Sequence, residues 1–180
     1  GDGDHWSNLN MGFTKLNECS DSLSKMTVSD EMKEIGKIMM SVIGGSSGVL
    51  YGSAYLAAAK AIKGHETIDA EGLCSILSAM LDAIIQRGQA KEGFKTMIDS
   101  LAPAVKVFKE CIENGTDEKE LCDKVKKAAE DGAENTKNME AVRGRATYQA
   151  DKGIGHLDPG AVTMSYQIEV LMDFLKEKIR

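Results

Sequence analysis

No apolar run in this chain approaches the ~20 residues needed to cross a bilayer, and its start has no basic-then-apolar pattern of a secretory signal. Its cysteines are not paired either. Cys19, Cys74, Cys111 and Cys122 form neither a Cys-x-x-Cys nor the Cys/His spacing of a zinc site, which removes a disulfide framework and a structural zinc from consideration. These absences lead us to expect a reducing, cytoplasmic setting. An excess of basic residues is also missing. A net charge of −6 argues against general nucleic-acid affinity, which draws on clustered Lys and Arg. With aromatics at 5% against ten methionines, the core should be aliphatic and sulfur-rich. We find no linker, internal repeat or low-complexity tract, and no convincing period-two alternation.

What is present is helical periodicity over most of 180 residues, a length that suits one domain burying roughly 70% of its unfolded surface. Leu73, Ile76, Leu77, Met80, Leu81, Ile84 and Ile85 recur at three-four spacing and predict a helix from Asp69 to Gln86. Met32, Ile35, Met39, Val42 and Ile43 predict another, capped near Ser29 or Asp30. Leu101, Val105 and Phe108 predict a third, with Pro103 placed early, near a first turn. A fourth should start at Asp117 and run through Leu121, Val125, Ala128 and Ala129. The last should follow an Asp158 cap with Pro159 at its first position, continuing through Tyr166, Val170, Leu171, Phe174 and Leu175. The small-residue stretch from Ser47 to Ile62 lets backbones approach closely, so it should be a central helix. The expected fold is all-α.

Three loops carry chemistry. In Gly1-Asp2-Gly3-Asp4-His5, alternate residues of an extended stretch face one side, about 6 to 7 Å apart, so two carboxylates can face one pocket. Carboxylate oxygens are ligands Mg²⁺ accepts, while water and phosphate complete its shell. A frayed terminus is the alternative. In Gly44-Gly45-Ser46-Ser47-Gly48, Ser46 or Ser47 can cap the next helix, whose N-terminal amides suit a phosphate. A plain helix-turn-helix corner would look the same. In Gly144-Arg145-Ala146-Thr147-Tyr148, Arg145 offers a guanidinium fork for phosphate oxygens, or is simply a solvated loop residue. His65 and His156 sit in turns and read as structural or exposed. Trp6 is either a packing anchor or a wall for a ring. Gly88 and Gly93 have P-loop spacing, but Phe94 separates Gly93 from Lys95-Thr96 and a helix precedes them, so that reading is rejected.

Five ordered blocks together resemble the nucleotide-binding L subunit of dihydroxyacetone kinase, the DhaL-type domain, over nearly the whole chain. They are Gly1-Asp2-Gly3-Asp4-His5 with Asn8 and Gly12-Phe13; Gly44 to Gly48 with Leu50-Tyr51-Gly52; Arg87-Gly88 with Gly93 and Lys95-Thr96-Met97; Gly144 to Tyr148; and Ile154-Gly155-His156 with Asp158-Pro159-Gly160. The resemblance implies a barrel of about seven to eight antiparallel helices holding ADP or ATP at one end. It also implies two Mg²⁺ held by three aspartates. Asp2 and Asp4 match two of these, and the third lies upstream of Gly1 together with the family's first helix. Nucleotide contacts fall, block by block, on His5, Trp6, Ser7, Asn8, Ser46, Ser47, Gly88, Met97, Arg145, Asp158, Pro159 and Gly160. Trp6 stands where the family has Gly, and Gln149-Ala150-Asp151-Lys152 departs from the family loop.

The activity so implied is phosphoryl transfer, which asks a protein mainly for positioning and charge neutralisation. The subunit would pass phosphate to dihydroxyacetone held by a separate K subunit. Its bound ADP would be recharged by a phosphohistidine on an M subunit of a phosphotransferase system. A homodimer is compatible with this; nucleic acid and membrane partners are not expected. The alternatives are an ATP-dependent kinase subunit for a related triose or tetrose, a nucleotide-binding regulatory adaptor, and a helical interaction module without ligand.

Overall fold

The computed structural model describes residues 4–179, and among them every regular element is helical. They fall into two compact units, Gly1–Gln89 and Ala90–Arg180.

The first unit holds α1 (His5–Glu18), the short α2 (Ser20–Leu23), α3 (Val28–Val42), α4 (Gly45–Ala61) and α5 (Ala70–Gly88). The small-residue stretch is indeed internal to its unit: α4 packs on α3 on one side and α5 on the other. Gly48, Gly52, Ala54, Ala58 and Ala59 are buried along it. The glycines set the spacing. A Cβ on Gly36 of α3 would lie 3.0 Å from the Gly52 carbonyl, and one on Gly52 would lie 2.2 Å from Met40 Cγ. Thr27, rather than Ser29 or Asp30, caps α3, its hydroxyl accepting from the Asp30 amide at 3.2 Å. The helix starts earlier than its apolar stripe because Val28 and Ser29 are competent first-turn residues once Thr27 has supplied the cap. The Ser29 hydroxyl then donates to the Ala59 carbonyl, tying α3 to α4.

The second unit holds α6 (Ile98–Glu113), α7 (Glu118–Asn135) and α8 (Pro159–Lys178), which pack on one another in all three pairings. Single-turn 3₁₀ segments, Thr136–Asn138 and Arg145–Tyr148, interrupt the stretch between α7 and α8. α7 begins where expected, with Asp117 as its N-cap accepting the Lys119 and Glu120 amides, and the expected Asp158 cap takes the Ala161 amide. Pro103 lies inside α6, beyond its first turn. It has no N–H to give the Asp99 carbonyl four residues back, and Gly132 of α7 lies directly against that oxygen.

The helix expected after Asp158 is present as α8, but not all of the apolar residues that mark it face inward. Tyr166, Val170 and Phe174 are exposed, while Ala161, Met164, Ser165, Ile168 and Met172 are buried. Apolar residues occur on both faces of this helix, so periodicity alone does not select the inward one. Both units bury methionine freely, at Met39, Met80, Met97, Met164 and Met172, while Tyr51 and Phe108 are the largest buried aromatics. The four cysteines are free thiols.

Candidate functional site

In the first unit the chain enters α1 through Asp4, whose backbone is already helical at φ −85 and ψ −11. The extended alternation expected to align Asp2 with Asp4 therefore does not continue through Asp4, and Asp2 itself lies outside the described residues. The Asp4 carbonyl accepts the Asn8 amide at 3.0 Å and the Ser7 hydroxyl at 2.9 Å, while its carboxylate makes no capping bond to α1. His5 is half-buried, and desolvation holds its imidazole below its ordinary value despite the opposing pull of Asp4. Trp6 is 76% exposed, so it is not a packing anchor.

Asn8 connects this entrance to the second loop. A Cβ on Gly44 would sit 3.3 Å from Asn8 Oδ1, so the first turn of α1 borders the α3–α4 corner. The corner differs from expectation in one respect: Gly44 is the N-cap of α4, and Ser46 and Ser47 lie within its first turn. Gly45 explains this, because it turns the chain at φ +68, a conformation glycine adopts without penalty. Since Gly44 has no side chain, no side-chain cap from that position engages the first-turn amides of α4. Gly88, at the end of α5, is half-buried and precedes Gln89 in the left-handed region at φ 47.

In the second unit Met97, Asp158 and Gly160 come together. A Cβ on Gly160 would lie 3.6 Å from the Met97 amide nitrogen and 3.0 Å from Asp158 Oδ2. Asp158 is anchored twice: its amide donates to Thr136 Oγ1 at 2.9 Å, and its carboxylate accepts the Ala161 amide at 2.7 Å. Pro159 follows at the first helical position and is exposed. Arg145 opens a 3₁₀ turn after Gly144 at φ +76, on an exposed stretch that also carries the 90% exposed Tyr148. Three residues that sequence reasoning passed over hold this region: Lys95, Asp99 and Thr136, all buried. Asp99 closes the turn before α6, its two oxygens accepting the Gly93 and Thr96 amides at 2.5 and 2.7 Å. The only signal available was Lys95-Thr96 within a block of the resemblance.

Burial pushes the Asp158 carboxyl up from 3.8 to about 6, against the opposing effects of the Ala161 amide and Lys95. The folded protein thus binds this proton more tightly than the unfolded chain does. Its contribution to stability is fully present below pH 3.8 and is lost as pH rises through about 6. The loss is on the order of 3 kcal/mol at most. Asp158→Asn keeps a capping oxygen without the ionisation. It should therefore raise the melting temperature at pH 8 by several degrees and make no difference near pH 4. A variant that is equally destabilised at both values would contradict this assignment.

Among the described residues no group of three His, Cys, Asp or Glu is placed to hold a metal ion, and no helix is long and apolar enough to cross a membrane. Asp4 is the one expected metal ligand in view.

A family model described as the DAK2 domain matches residues 1–173. The chain is 38% identical to the "PEP-dependent dihydroxyacetone kinase 1, ADP-binding subunit DhaL" of Listeria innocua, over 96% of this chain and 81% of that protein. It is 32% identical to the corresponding ADP-binding subunit of Escherichia coli, over 98% of this chain and 84% of that protein. Its fold matches the crystal structure of the dihydroxyacetone kinase of C. freundii with a TM-score of 0.74 and 24% identity. That match covers 97% of this chain but 29% of the other. The two bacterial relatives are kinase subunits by name, and the chain is that of a phosphotransferase. With its all-helical elements, its two loop clusters and a family match over nearly its full length, the chain belongs to the DAK2 domain family.

Proposed function

We propose that this chain is the ADP-binding subunit of a dihydroxyacetone kinase. In this reading it passes a phosphoryl group to dihydroxyacetone held by a separate K subunit, and its ADP is recharged by a phosphohistidine on an M subunit in the cytoplasm. The observation that carries the reading is 38% identity to a DhaL subunit over 96% of the chain. The loop geometry supports it. In the first unit, His5, Trp6, Ser7 and Asn8 form the first turn of α1, where Asn8 borders the corner that leads into Ser46 and Ser47, and Gly88 ends α5. In the second unit, Gly160 lies against both Met97 and the Asp158 carboxylate, Pro159 opens α8 between Asp158 and Gly160, and Arg145 lies on an exposed turn.

Each group has a task suited to its chemistry. Uncapped amides at the head of α4 take phosphate oxygens. Arg145 neutralises charge that develops during transfer. Gly160, which has no side chain and lies against Met97, lets a base or sugar come close to the backbone at the head of α8. Asp2 and Asp4 supply two carboxylates, a number that suits Mg²⁺ when water and phosphate fill its other positions. When bound, that ion would neutralise the phosphate charge.

The test begins with mass analysis of nucleotide released from the purified full-length protein. The sample is then incubated with phosphorylated M subunit or with ATP, in the presence of K subunit and dihydroxyacetone. Retained ADP that turns over with the phosphorylated M subunit alone is the expected result. Turnover with ATP, by nucleotide exchange, would select the ATP-dependent alternative. Bound nucleotide with no transfer to any triose would instead favour a regulatory adaptor, a reading motivated by the exposed Trp6 beside His5.

A further inference from the structure

Lys95 is 3% exposed, in a protein whose other lysines are mostly at the surface, and lysine is rarely buried without partners. Its backbone is in the left-handed region at φ 59, which residues with a side chain seldom adopt. The loop above is packed onto its stem: a Cβ on Gly153 would lie 3.1 Å from Lys95 Cε. Such a conformation persists only where the surroundings hold it in place.

The ammonium supplies that hold. Lys95 Nζ donates to the Thr136 carbonyl and to the His156 carbonyl, each at 2.5 Å. Thr136 is the C-cap of α7, so its carbonyl lies at the negative end of the helix dipole, where a cation is favoured, and it accepts from Lys95 in addition to the Met139 amide of the following turn. Burial works against the charged form, and the Asp158, Asp151 and Asp99 carboxylates work for it. Thr136 also acts a second time, since its Oγ1 accepts the Asp158 amide. One lysine thus links three segments that are remote in sequence.

We infer that Lys95 is a positioning residue for the nucleotide edge of the second unit. It fastens the Gly93–Met97 turn to the end of α7 and to the stretch entering Asp158-Pro159-Gly160, and so fixes Met97 relative to Asp158. The inference rests on the proposed nucleotide contacts at those residues. Lys95 itself touches neither substrate nor cofactor in this role; it acts through the two carbonyls.

The test uses Lys95→Met in the full-length protein, which keeps the length of the stem and removes its donors. Calorimetry gives the Kd for ADP, and the reconstituted assay gives kcat at saturating ADP. The expected result is a Kd raised roughly 10- to 100-fold with kcat within about 3-fold of wild type, the pattern of lost binding geometry without lost chemistry. A residue that merely supports folding would lower the active fraction, and with it kcat, at unchanged Kd; that outcome overturns the inference, as does no change in either. Should Lys95→Met fail to fold, Lys95→Gln carries the test, because its shorter neutral side chain keeps a polar end in the buried position but cannot serve both carbonyls as the ammonium does. The same rise in Kd is expected there, and an unchanged Kd would be decisive against. Wild-type protein that binds no ADP sinks the functional reading itself, whereas wild-type binding with unaffected variants sinks this inference alone.

Discussion

Asp4→Asn should leave the helices intact and lower phosphoryl transfer in the reconstituted assay by ~10³-fold or more, equivalent to about 4 kcal/mol of lost stabilisation. The two effects separate because of what Asp4 does and does not do. As N-cap of α1 it is replaced by a residue that caps equally well, and its carboxylate makes no capping bond to lose. What disappears is one negative charge at a helix entrance proposed to hold a divalent ion. His5 does not confuse the result. Its imidazole already lies below its ordinary value through burial, and removing Asp4 takes away an influence that raises it, so both effects act in the same direction. Far-UV circular dichroism and melting temperature check the fold. The affinity for ADP should also lose its response to magnesium, and Asp2→Asn should behave alike. Full activity in either variant would remove the carboxylates from the mechanism.

A second large effect is expected where glycine lets one backbone touch another. A Cβ on Gly48 would stand 2.1 Å from the Ile43 carbonyl oxygen, and one on Gly132 would stand 2.1 Å from that of Asp99. Alanine gains at most about 1 kcal/mol of helix propensity over glycine. Overpacking costs about 1 to 3 kcal/mol or somewhat more, and a backbone oxygen cannot rotate away as a side chain can. The clash therefore wins. Gly48→Ala and Gly132→Ala should each lose about 3 kcal/mol, or roughly 6 to 12 °C in melting temperature for a chain of this size. Gly12→Ala meets the Ile43 side chain, which can adjust, and should lose clearly less. Gly48→Ala should also weaken ADP binding at least 10-fold, since relieving the clash displaces the head of α4 from the end of α3 and with it Ser46 and Ser47. Equal melting temperatures for all three variants would show that these contacts do not limit packing.

Much of the fold was legible because its signals are local. The Asp117 and Asp158 caps and the Asp69–Gln86 stripe each depend on residues within a few positions of one another, and each lies where its pattern puts it. The candidate site was legible in part for the same reason: glycine-rich corners and a capped helix start are short-range features. Lys95 was not. A lysine between Phe94 and Thr96 looks solvated until the carbonyls 41 and 61 residues away close over it. The inward face of α8 was hidden as well, since Tyr166-Val170-Phe174 and Met164-Ile168-Met172 are both apolar rows at helical spacing.

By itself, then, the sequence determined an all-helical chain, where several of its helices begin, and which loops carry phosphate-suited chemistry. Helix periodicity, capping and glycine turns are settled between near neighbours. Tertiary structure alone decided which row of α8 is buried, that Gly48 and Gly132 are points of backbone contact, and that Lys95, Asp99 and Thr136 clasp the Met97–Asp158 edge. Those outcomes turn on desolvation and close packing between distant segments, and the free energy of burying a charge or a methyl group exists only once the surrounding chain has closed around it.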